Sequence, residues 1–420
     1  MKVAAVDLGA TSARVAIVDT DSRDVAVVQR CENGPVRHAD GSLRWDWTRL
    51  VDEVERGLAI AVGDGVESIG IDTWGVDYGL LDDRGELVAP PFSYRDTRTT
   101  GWRKVVDRIG EKRLYETTGV QLMAINTIFQ LAAHDRTELD RAATLLMLPE
   151  LLVHHLTGTV TAELTSAGTT GLVSLATDNW DAALLDEVFA ELARPRPAFP
   201  PIRRAGSLVG EWRGVPVHLV GGHDTASAVA ARPGPSTPQR AFVSTGTWVL
   251  VGVESPTPVT TDAAHGANFS NERSVDGGYR LLKNVTGLWL LERCRDAWGS
   301  EPVEAALVAG PIVDPDDDRF VRADDVPRAI ASAAGISADD RPAIVRCIFD
   351  SVAAAVARVI DELESVTATV ITEIDMFGGG ARIPLLVSLV EGATGLPVTV
   401  GSAEATALGN ALVQARNLGA

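Results

Sequence analysis

An aspartate follows a glycine pair in the stretch GGHDTASAVAA, residues 221–231. The strand-like run VPVHLV precedes the glycines, and small residues that favour a helix follow Asp224. A carboxylate at such a strand-to-helix turn can reach into a cleft and take a proton from a substrate hydroxyl. An aspartate before Thr-Ala-Ser is also a good helix N-cap. From these residues alone, the roles of general base and helix cap are both open for Asp224.

Two turns rich in glycine and hydroxyl residues lie between apolar, strand-like runs, one in each half of the chain. VDLGATSARVAIVD contains Thr11 and Ser12, and VSTGTWVLVGVES contains Thr245 and Thr247. Turns without large side chains let backbone N–H groups approach phosphate oxygens, and the hydroxyls add donors. Neither turn has the P-loop or dinucleotide-binding spacing. One such turn could be an ordinary β-turn, but two copies favour a polyphosphate site.

Asp7 ends the first of these strand-like runs. A carboxylate beside a phosphate cradle repels the anion unless a divalent cation lies between them. The sequence therefore predicts that Asp7 serves Mg²⁺, through water. A turn aspartate that only caps the local backbone is the alternative.

The composition is that of a large acidic globular protein. The chain has 420 residues, of which 45% are hydrophobic and 23% charged, and its net charge is −19. This charge argues against binding to nucleic acid or an anionic membrane, and no run of apolar residues is long enough to span a bilayer. Three widely spaced cysteines indicate no disulfide framework and predict a reducing, cytoplasmic compartment.

Helical and strand patterns alternate along both halves, which predicts α/β layers. Trp45 and Trp47 alternate at strand spacing and are predicted to pack in a core. The length and the repeated turn predict two domains, residues 1–212 and 213–420. The clearest periodic segments predict strands at 3–6, 15–18 and 370–377, and helices at 50–62, 100–115, 127–135, 146–156 and 342–363.

Motifs spread in order along nearly the whole chain carry a family resemblance. They are VDLGATSARV, IGIDTWGVDYGLLDDRGELVAPPFSYRDTRT, LLMLPELLVHHLTG, ELTSAGTTGLV, HDTASAV, STGTWVL, LLKNVTGLWLLERC, DPDDDRF, RCIFDS, FGGGARIPLL and ATALGNA. With them the chain resembles the FGGY family of carbohydrate kinases, within the actin/hexokinase/Hsp70 superfamily. The resemblance implies two ribonuclease H-like α/β domains with a cleft between them. The first domain would bind sugar and carry the first phosphate loop, and the second would carry the base and bind nucleotide.

The resemblance also implies roles for individual residues, beginning with Asp224 as the catalytic base. For the nucleotide it implies contacts at Ala10, Thr11, Ser12, Ala13, Arg14, Thr247, Glu292 and Gly379. Glu292 stands where the family often has a glutamine, which predicts weaker nucleotide binding or altered metal use. For the sugar it implies contacts at Gly75, His223, Asp224, Thr225 and Asn284.

Three further residues extend the predicted sugar site. Trp74 and Asp77 lie in the DTWGVD motif, and Arg95 lies in SYRDTR, after a Pro-Pro segment. Polar side chains there suit a polyhydroxyl ligand, although a purely structural role stays open for Arg95.

The narrower resemblance is to family members that phosphorylate L-rhamnulose. It implies transfer from ATP to O1, with Mg²⁺ bridging the phosphates. Another ketose, such as L-fuculose or L-xylulose, and a non-catalytic regulator that binds sugar or ATP are the alternatives. The predicted partners are the ketose and Mg·ATP, with no nucleic acid and no membrane, and a homodimer is left open.

Overall fold

The computed structural model describes residues 1–299, 304–321 and 323–419. The strands are β1 (Lys2–Leu8), β2 (Ser12–Asp19), β3 (Asp24–Glu32), β4 (Pro35–Arg37), β5 (Leu43–Trp45), β6 (Ile69–Thr73), β7 (Tyr78–Leu81), β8 (Thr144–Met147), β9 (Ala162–Glu163), β10 (Ile202–Arg203), β11 (Leu208–Trp212), β12 (Val215–His223), β13 (Arg240–Thr245), β14 (Trp248–Ser255), β15 (Ser270–Arg273), β16 (Tyr279–Thr286), β17 (Glu373–Gly378) and β18 (Val398–Val400).

The helices follow in the same numbering. They are α1 (Trp47–Gly63), α2 (Arg103–Ile109), α3 (Glu111–Thr118), α4 (Thr127–Ala132), α5 (Arg136–Leu139), α6 (Leu148–Thr157), α7 (Leu164–Ala167), α8 (Ala182–Leu192), α9 (Asp224–Ala230), α10 (Asp262–Gly266), α11 (Trp289–Trp298), α12 (Asp318–Val321), α13 (Val326–Ala334), α14 (Arg341–Thr367), α15 (Pro384–Thr394) and α16 (Ala405–Leu418). Within the described ranges, no helix combines the length and apolar character needed to cross a bilayer.

The chain folds into two compact units. Unit 1 comprises Met1–Ala231, Pro256–Arg280 and Thr406–Ala420, and unit 2 comprises Arg232–Ser255 and Leu281–Ala405. The sequence prediction divided the chain between 212 and 213, whereas the first segment of unit 1 runs through β12 and α9 to Ala231. The reason is that β12 pairs in parallel with β6, so this strand belongs to the sheet of unit 1. The last helix, α16, also returns to unit 1.

The sheet of unit 1 has the strand order β11-β12-β6-β1-β2-β3. Strands β1 and β2 form the antiparallel hairpin that the sequence predicted. Strands β12, β6 and β1 are parallel to one another, so their carboxyl ends meet at one edge of the sheet. In this register Asp7 lies opposite Asp72, and Thr73 lies opposite His223. The residues that could do chemistry therefore share one edge.

Helix α1 covers one face of this sheet. It buries an apolar stripe that includes Leu50, Val54 and Leu58, which confirms the helix predicted over 50–62. The strand spacing assumed for the two tryptophans is wrong, because Asp46 caps α1 and Trp47 begins it. Their predicted packing is confirmed, since both rings are buried.

Other predicted helices differ at their boundaries, and two of these differences have a clear local cause. The helix expected over 100–115 is divided at Gly110, which has φ +92°, into α2 and α3. The helix expected from 146 begins at Leu148, because the preceding residues pair with β7 as strand β8. Its predicted end is confirmed by Gly158 in the left-handed conformation.

Unit 2 contains the second hairpin, β13–β14, which is flanked by β16 on one side and by β17 and then β18 on the other. A buried ion cluster ties its central strands together. Arg240 of β13 donates to both carboxylate oxygens of Asp375 of β17, at 2.7 and 2.6 Å, and Arg232 donates to the same group at 2.9 Å. The paired charges stabilise each other in a site that water does not reach.

Candidate active site

Two carboxylates occupy the ends of adjacent strands in unit 1. Asp7 of β1 and Asp72 of β6 are register partners, and both are buried. Arg14, which is opposite Asp7 on β2, places its Nε 3.3 Å from the Asp7 carboxylate. This edge therefore carries Asp7, which is paired with an arginine, and Asp72, which is completely buried.

Asp72 was not singled out from the sequence. Burial and the neighbouring charge of Asp7 raise its pKa well above the usual range, and Asp224 adds to the shift. A hydrogen bond of 2.6 Å from Asn410 Nδ2 to Oδ2 opposes the shift, while Oδ1 has no hydrogen-bond partner among the described residues. The available signal was an acidic residue inside the apolar run IGIDT.

Asp224 is the first residue of α9, directly after β12. Its Oδ1 accepts hydrogen bonds from the backbone N–H of Thr225 at 2.6 Å and from its hydroxyl at 3.2 Å. The side chain is 29% exposed. His223 occupies the N-cap position and caps with no side-chain bond, so Asp224 is not the helix cap that the sequence left open.

A buried chain of charged groups supports the residue before the candidate base. The two imidazole nitrogens of His223 lie 3.3 Å from Asp224 Oδ1 and 3.2 Å from Glu272 Oε2, and Arg280 lies 3.0 Å from the same Glu272 oxygen. Burial acts to raise the pKa of Glu272, but the charges of His223 and Arg280 outweigh it and hold that pKa below its usual value. The ring of His223 thus lies between the carboxylates of Asp224 and Glu272.

The DTWGVD segment makes a strained turn after β6. Val76 has φ +68°, a conformation that a β-branched residue rarely adopts. Thr169 accepts from its N–H at 3.1 Å, and the side chains of Thr127 and Gln130 donate to its carbonyl at 2.6 and 3.2 Å. Such over-determined strain is typical of ligand-binding turns. The partly exposed Gly75 lies directly before it.

Asp77 lies beneath this turn, and both of its carboxylate oxygens accept hydrogen bonds. Its Oδ2 accepts from the indoles of Trp45 at 2.7 Å and Trp74 at 3.0 Å. It also accepts from the backbone of Tyr94 at 3.1 Å, and Oδ1 accepts from Gln130 at 2.9 Å. The structure thus gives Asp77 a supporting position under the two indoles. Its direct contact with a sugar stays a prediction from the sequence.

Arg95 lies next to this aromatic group and is partly buried. Its Nε donates to the hydroxyl of Tyr94 at 3.3 Å, and its guanidinium lies 5.5 Å from the centre of that ring. The contact orients Arg95 but does not decide between a sugar contact and a structural role.

The turn of the first hairpin requires glycine at position 9. A Cβ there would lie 2.8 Å from the carbonyl oxygen of Ser12, which accepts from the Gly9 N–H. Ala10, Thr11 and Ser12 are partly exposed at this turn. The other two residues of the predicted phosphate loop, Ala13 and Arg14, lie in strand β2.

The turn of the second hairpin lies in unit 2, at Gly246 and Thr247. Helix α11 approaches it, because the N–H of Trp289 donates to the Thr247 carbonyl at 3.1 Å. The glycine-rich FGGG turn packs on the same hairpin: the hydroxyl of Thr245 donates to the Phe377 carbonyl at 2.6 Å and accepts from Ala381 at 3.1 Å. Unit 2 therefore gathers Thr247 and the exposed Gly379 around one hairpin.

The remaining two predicted site residues also belong to unit 2. Asn284 is partly exposed on β16. Glu292 is partly exposed in the first turn of α11, where the helix dipole favours a negative charge. This explains how the chain accommodates a carboxylate at that position.

Comparison with known proteins decides the family. The N-terminal domain model of the FGGY carbohydrate kinases matches residues 2–229, and the C-terminal domain model matches residues 241–418. The chain belongs to the FGGY family of carbohydrate kinases. A rhamnulokinase from Klebsiella pneumoniae (strain 342) is 39% identical to this kinase over 440 residues, covering 99% of this chain and 89% of the relative.

Solved structures show the same fold at low identity. A ligand-bound xylulose kinase from Lactobacillus acidophilus matches the kinase with a TM-score of 0.78 at 16% identity, over 100% of this chain and 89% of that one. A glycerol kinase from Plasmodium falciparum with ADP matches with a TM-score of 0.73 at 14% identity, over 99% and 89%. The predicted two-domain α/β fold and sugar-kinase activity are confirmed.

The buried carboxyl of Asp72 gives the kinase a testable pH dependence. The pKa of Asp72 is higher in the folded protein than in the unfolded chain, so folding favours the protonated carboxyl. The contribution of Asp72 to stability therefore falls as the pH rises from its unfolded pKa to its folded pKa. Relative to Asp72→Asn, the free energy of unfolding of the wild type is expected to fall by about 1.4 kcal/mol per pH unit within that window. Urea unfolding of both proteins between weakly acidic and weakly alkaline pH measures it. Parallel curves would contradict the assignment.

Proposed function

We propose that this kinase transfers the γ-phosphoryl group of ATP to O1 of L-rhamnulose, giving L-rhamnulose 1-phosphate and ADP. The observation that carries the proposal is the placement of Asp224, part-exposed at the end of β12 and next to the edge that holds Asp7 and Asp72. The choice of sugar is supported by the 39% identity to a rhamnulokinase over nearly the whole chain.

In the proposed mechanism Asp224 accepts the proton of the sugar O1 as the phosphoryl group transfers. The contacts that the described residues make to its carboxylate all use Oδ1, so Oδ2 is left to receive the proton. His223 and Thr225 flank the base and are proposed to bind sugar hydroxyls, together with Gly75, Trp74, Arg95 and Asn284. Because Glu272 and Arg280 hold the His223 ring from behind, the imidazole is fixed before the sugar arrives.

The donor chemistry of unit 1 fits a hard divalent cation. No group of three or more His, Cys, Asp and Glu side chains within the described ranges is arranged to hold a metal. A Mg²⁺ ion usually keeps several waters and takes one or two carboxylates plus substrate phosphates, which suits Asp7 with the unpartnered Oδ1 of Asp72 nearby. Bound there, Mg²⁺ would neutralise charge on the phosphates. Asp7 would bind the Mg²⁺ ion, directly or through a water molecule.

The two hairpin turns are the proposed nucleotide contacts. Backbone N–H groups at Ala10–Arg14 and at Thr247 would bind phosphate oxygens, and the exposed Gly379 would let the nucleotide approach the backbone. Glu292 would face the nucleotide from α11.

Glu292→Gln is expected to lower the KM for ATP by about fivefold, because it removes one like charge near the phosphates, a change of about 1 kcal/mol. The kcat for L-rhamnulose is expected to stay unchanged. Steady-state kinetics with varied Mg·ATP measure it, and Glu391→Gln, on the surface of α15, is the control for loss of a carboxylate elsewhere in unit 2. An unchanged KM would remove Glu292 from the nucleotide site.

We also propose a cytoplasmic location, because a reducing compartment keeps thiols free and all three cysteines are free. A second copy of the chain as partner remains a prediction from the sequence.

The position of transfer can be tested on the product. The kinase is incubated with L-rhamnulose and Mg·ATP, and the product is analysed by ³¹P and ¹³C NMR. Coupling of phosphorus to C1 is the expected result. Phosphate on another carbon would overturn the O1 assignment, and ADP formation without a sugar phosphate would favour hydrolysis.

A further inference from the structure

Two glutamates that the mechanism does not use are buried side by side in unit 1. Glu150 lies in α6, within the LLMLPELLVHHLTG motif, and Glu163 ends β9, within ELTSAGTT. Each is 1% exposed. An ionisable group is rarely buried so deeply unless its hydrogen bonds hold something in place.

One oxygen of Glu163 collects four hydrogen bonds. Its Oε2 accepts from the N–H and the hydroxyl of Thr165, at 2.8 and 2.5 Å, and from the N–H of Ser166 at 3.1 Å, so it caps α7. The fourth donor comes from another element, since the N–H of Gly222 lies 3.0 Å away. The Thr165 hydroxyl in turn accepts from the N–H of His223 at 3.2 Å.

These two hydrogen bonds are made to a stretch of β12 in which the regular pairing with β6 is interrupted. The pairing of β12 with β6 shifts between Leu219 and His223, just before Asp224. Buried backbone N–H groups must find partners, and here Glu163 and Thr165 supply them for Gly222 and His223. The fit is close, since a Cβ on Gly222 would lie 3.1 Å from Glu163 Oε2.

Glu150 supports Glu163 from behind. Its Oε1 accepts from the N–H of Glu163 at 3.0 Å, and its Oε2 lies 3.1 Å from the hydroxyl of Ser166. Burial and the charge of Glu163 raise the pKa of Glu150 well above its usual range, and burial also raises the pKa of Glu163.

We propose that Glu163 and Thr165 are positioning residues, which hold the backbone of Gly222 and His223 and thereby set the place of Asp224. The proposal rests on the base role given to Asp224 under the proposed function. Neither residue touches the sugar in this scheme. They act through the strand end that carries the base, where a displacement of about 1 Å costs on the order of 100-fold in rate.

The test compares Thr165→Val, which removes the hydroxyl at constant shape, with Thr165→Ser, which keeps it. The matched control is Thr170→Val, because Thr170 is about as deeply buried as Thr165 and, among the described residues, its hydroxyl bonds within its own segment, at Ala167 and Leu172. Each variant is assayed for kcat, KM for ATP and KM for L-rhamnulose by coupled ADP release, with the midpoint of urea unfolding as the measure of stability. Asp224→Asn is run in the same series.

Thr165→Val is expected to lower kcat by about 10-fold or more with KM for ATP within about twofold of wild type. Thr165→Ser should restore kcat, and Thr170→Val should lose comparable stability without losing kcat. Equal kcat in Thr165→Val and Thr170→Val would overturn the proposal. If Thr165→Val does not fold, Glu163→Gln decides by the same criterion, since it keeps the shape and weakens the acceptor. An active Asp224→Asn would instead overturn the base role itself.

Discussion

Asp224→Asn is expected to lower kcat for L-rhamnulose phosphorylation by about 10³-fold, because an amide cannot accept the proton of O1. The substitution keeps the shape of the side chain, and its Oδ1 can still accept from Thr225. The KM values and the midpoint of urea unfolding should therefore change little. Coupled ADP release measures kcat, and equilibrium unfolding measures stability.

Asp181→Asn is the matched control for this experiment. Asp181 also lies at the start of a helix: it caps α8, where its side chain accepts from the N–H of Leu184 at 2.9 Å. If both variants lose a little stability and only Asp224→Asn loses turnover, the carboxylate of Asp224 acts in the chemistry. Turnover that survives in Asp224→Asn would make that residue structural and would favour a binding protein or a different base.

Gly409→Ala is expected to destabilise unit 1 by about 3 kcal/mol, at the upper end of the usual cost of overpacking. A Cβ at this position of α16 would overlap the carbonyl oxygen of Ser227, so the two helices must separate. Ser227 lies in α9, the helix that Asp224 begins. The separation is therefore expected to move the base as well, and kcat should fall together with stability.

The control for this substitution is Gly392→Ala in α15, where an added Cβ meets nothing within 4 Å. This exchange is expected to stabilise the protein by about 0.5–1 kcal/mol, because alanine loses less backbone freedom in a helix. Urea unfolding of the two variants compares them directly. A Gly409→Ala protein as stable as Gly392→Ala would show that α16 does not pack on α9 as described.

Local patterns were sufficient for the elements that frame the site. The two hairpins follow from alternating apolar residues around glycine turns, and helix α1 follows from its apolar stripe. Trp47 was assigned strand spacing but begins helix α1, and this too has a local cause. The N–H of Arg49 donates to the side chain of Asp46, and this helix cap outweighs the strand-like alternation.

The residues that the sequence reasoning missed depend on distant partners. Asp72 is held by Asn410, 338 positions later, and Glu163 matters because Gly222, 59 positions later, donates to it. No local pattern encodes such pairs. The return of α16 to unit 1 is of the same kind, because it depends on packing between segments at opposite ends of the chain. The local sign of Asp72 in the sequence is that it is an acidic residue within the apolar run IGIDT.

The proposed substrate is tested most directly by the kcat/KM of the kinase for L-rhamnulose, measured with saturating Mg·ATP beside L-fuculose and L-xylulose. L-rhamnulose is expected to be preferred by at least about 10-fold, the low end of what one apolar substrate contact contributes to discrimination. A higher kcat/KM for either of the other ketoses would contradict the proposed substrate, and no sugar-dependent ADP release would contradict the proposed reaction.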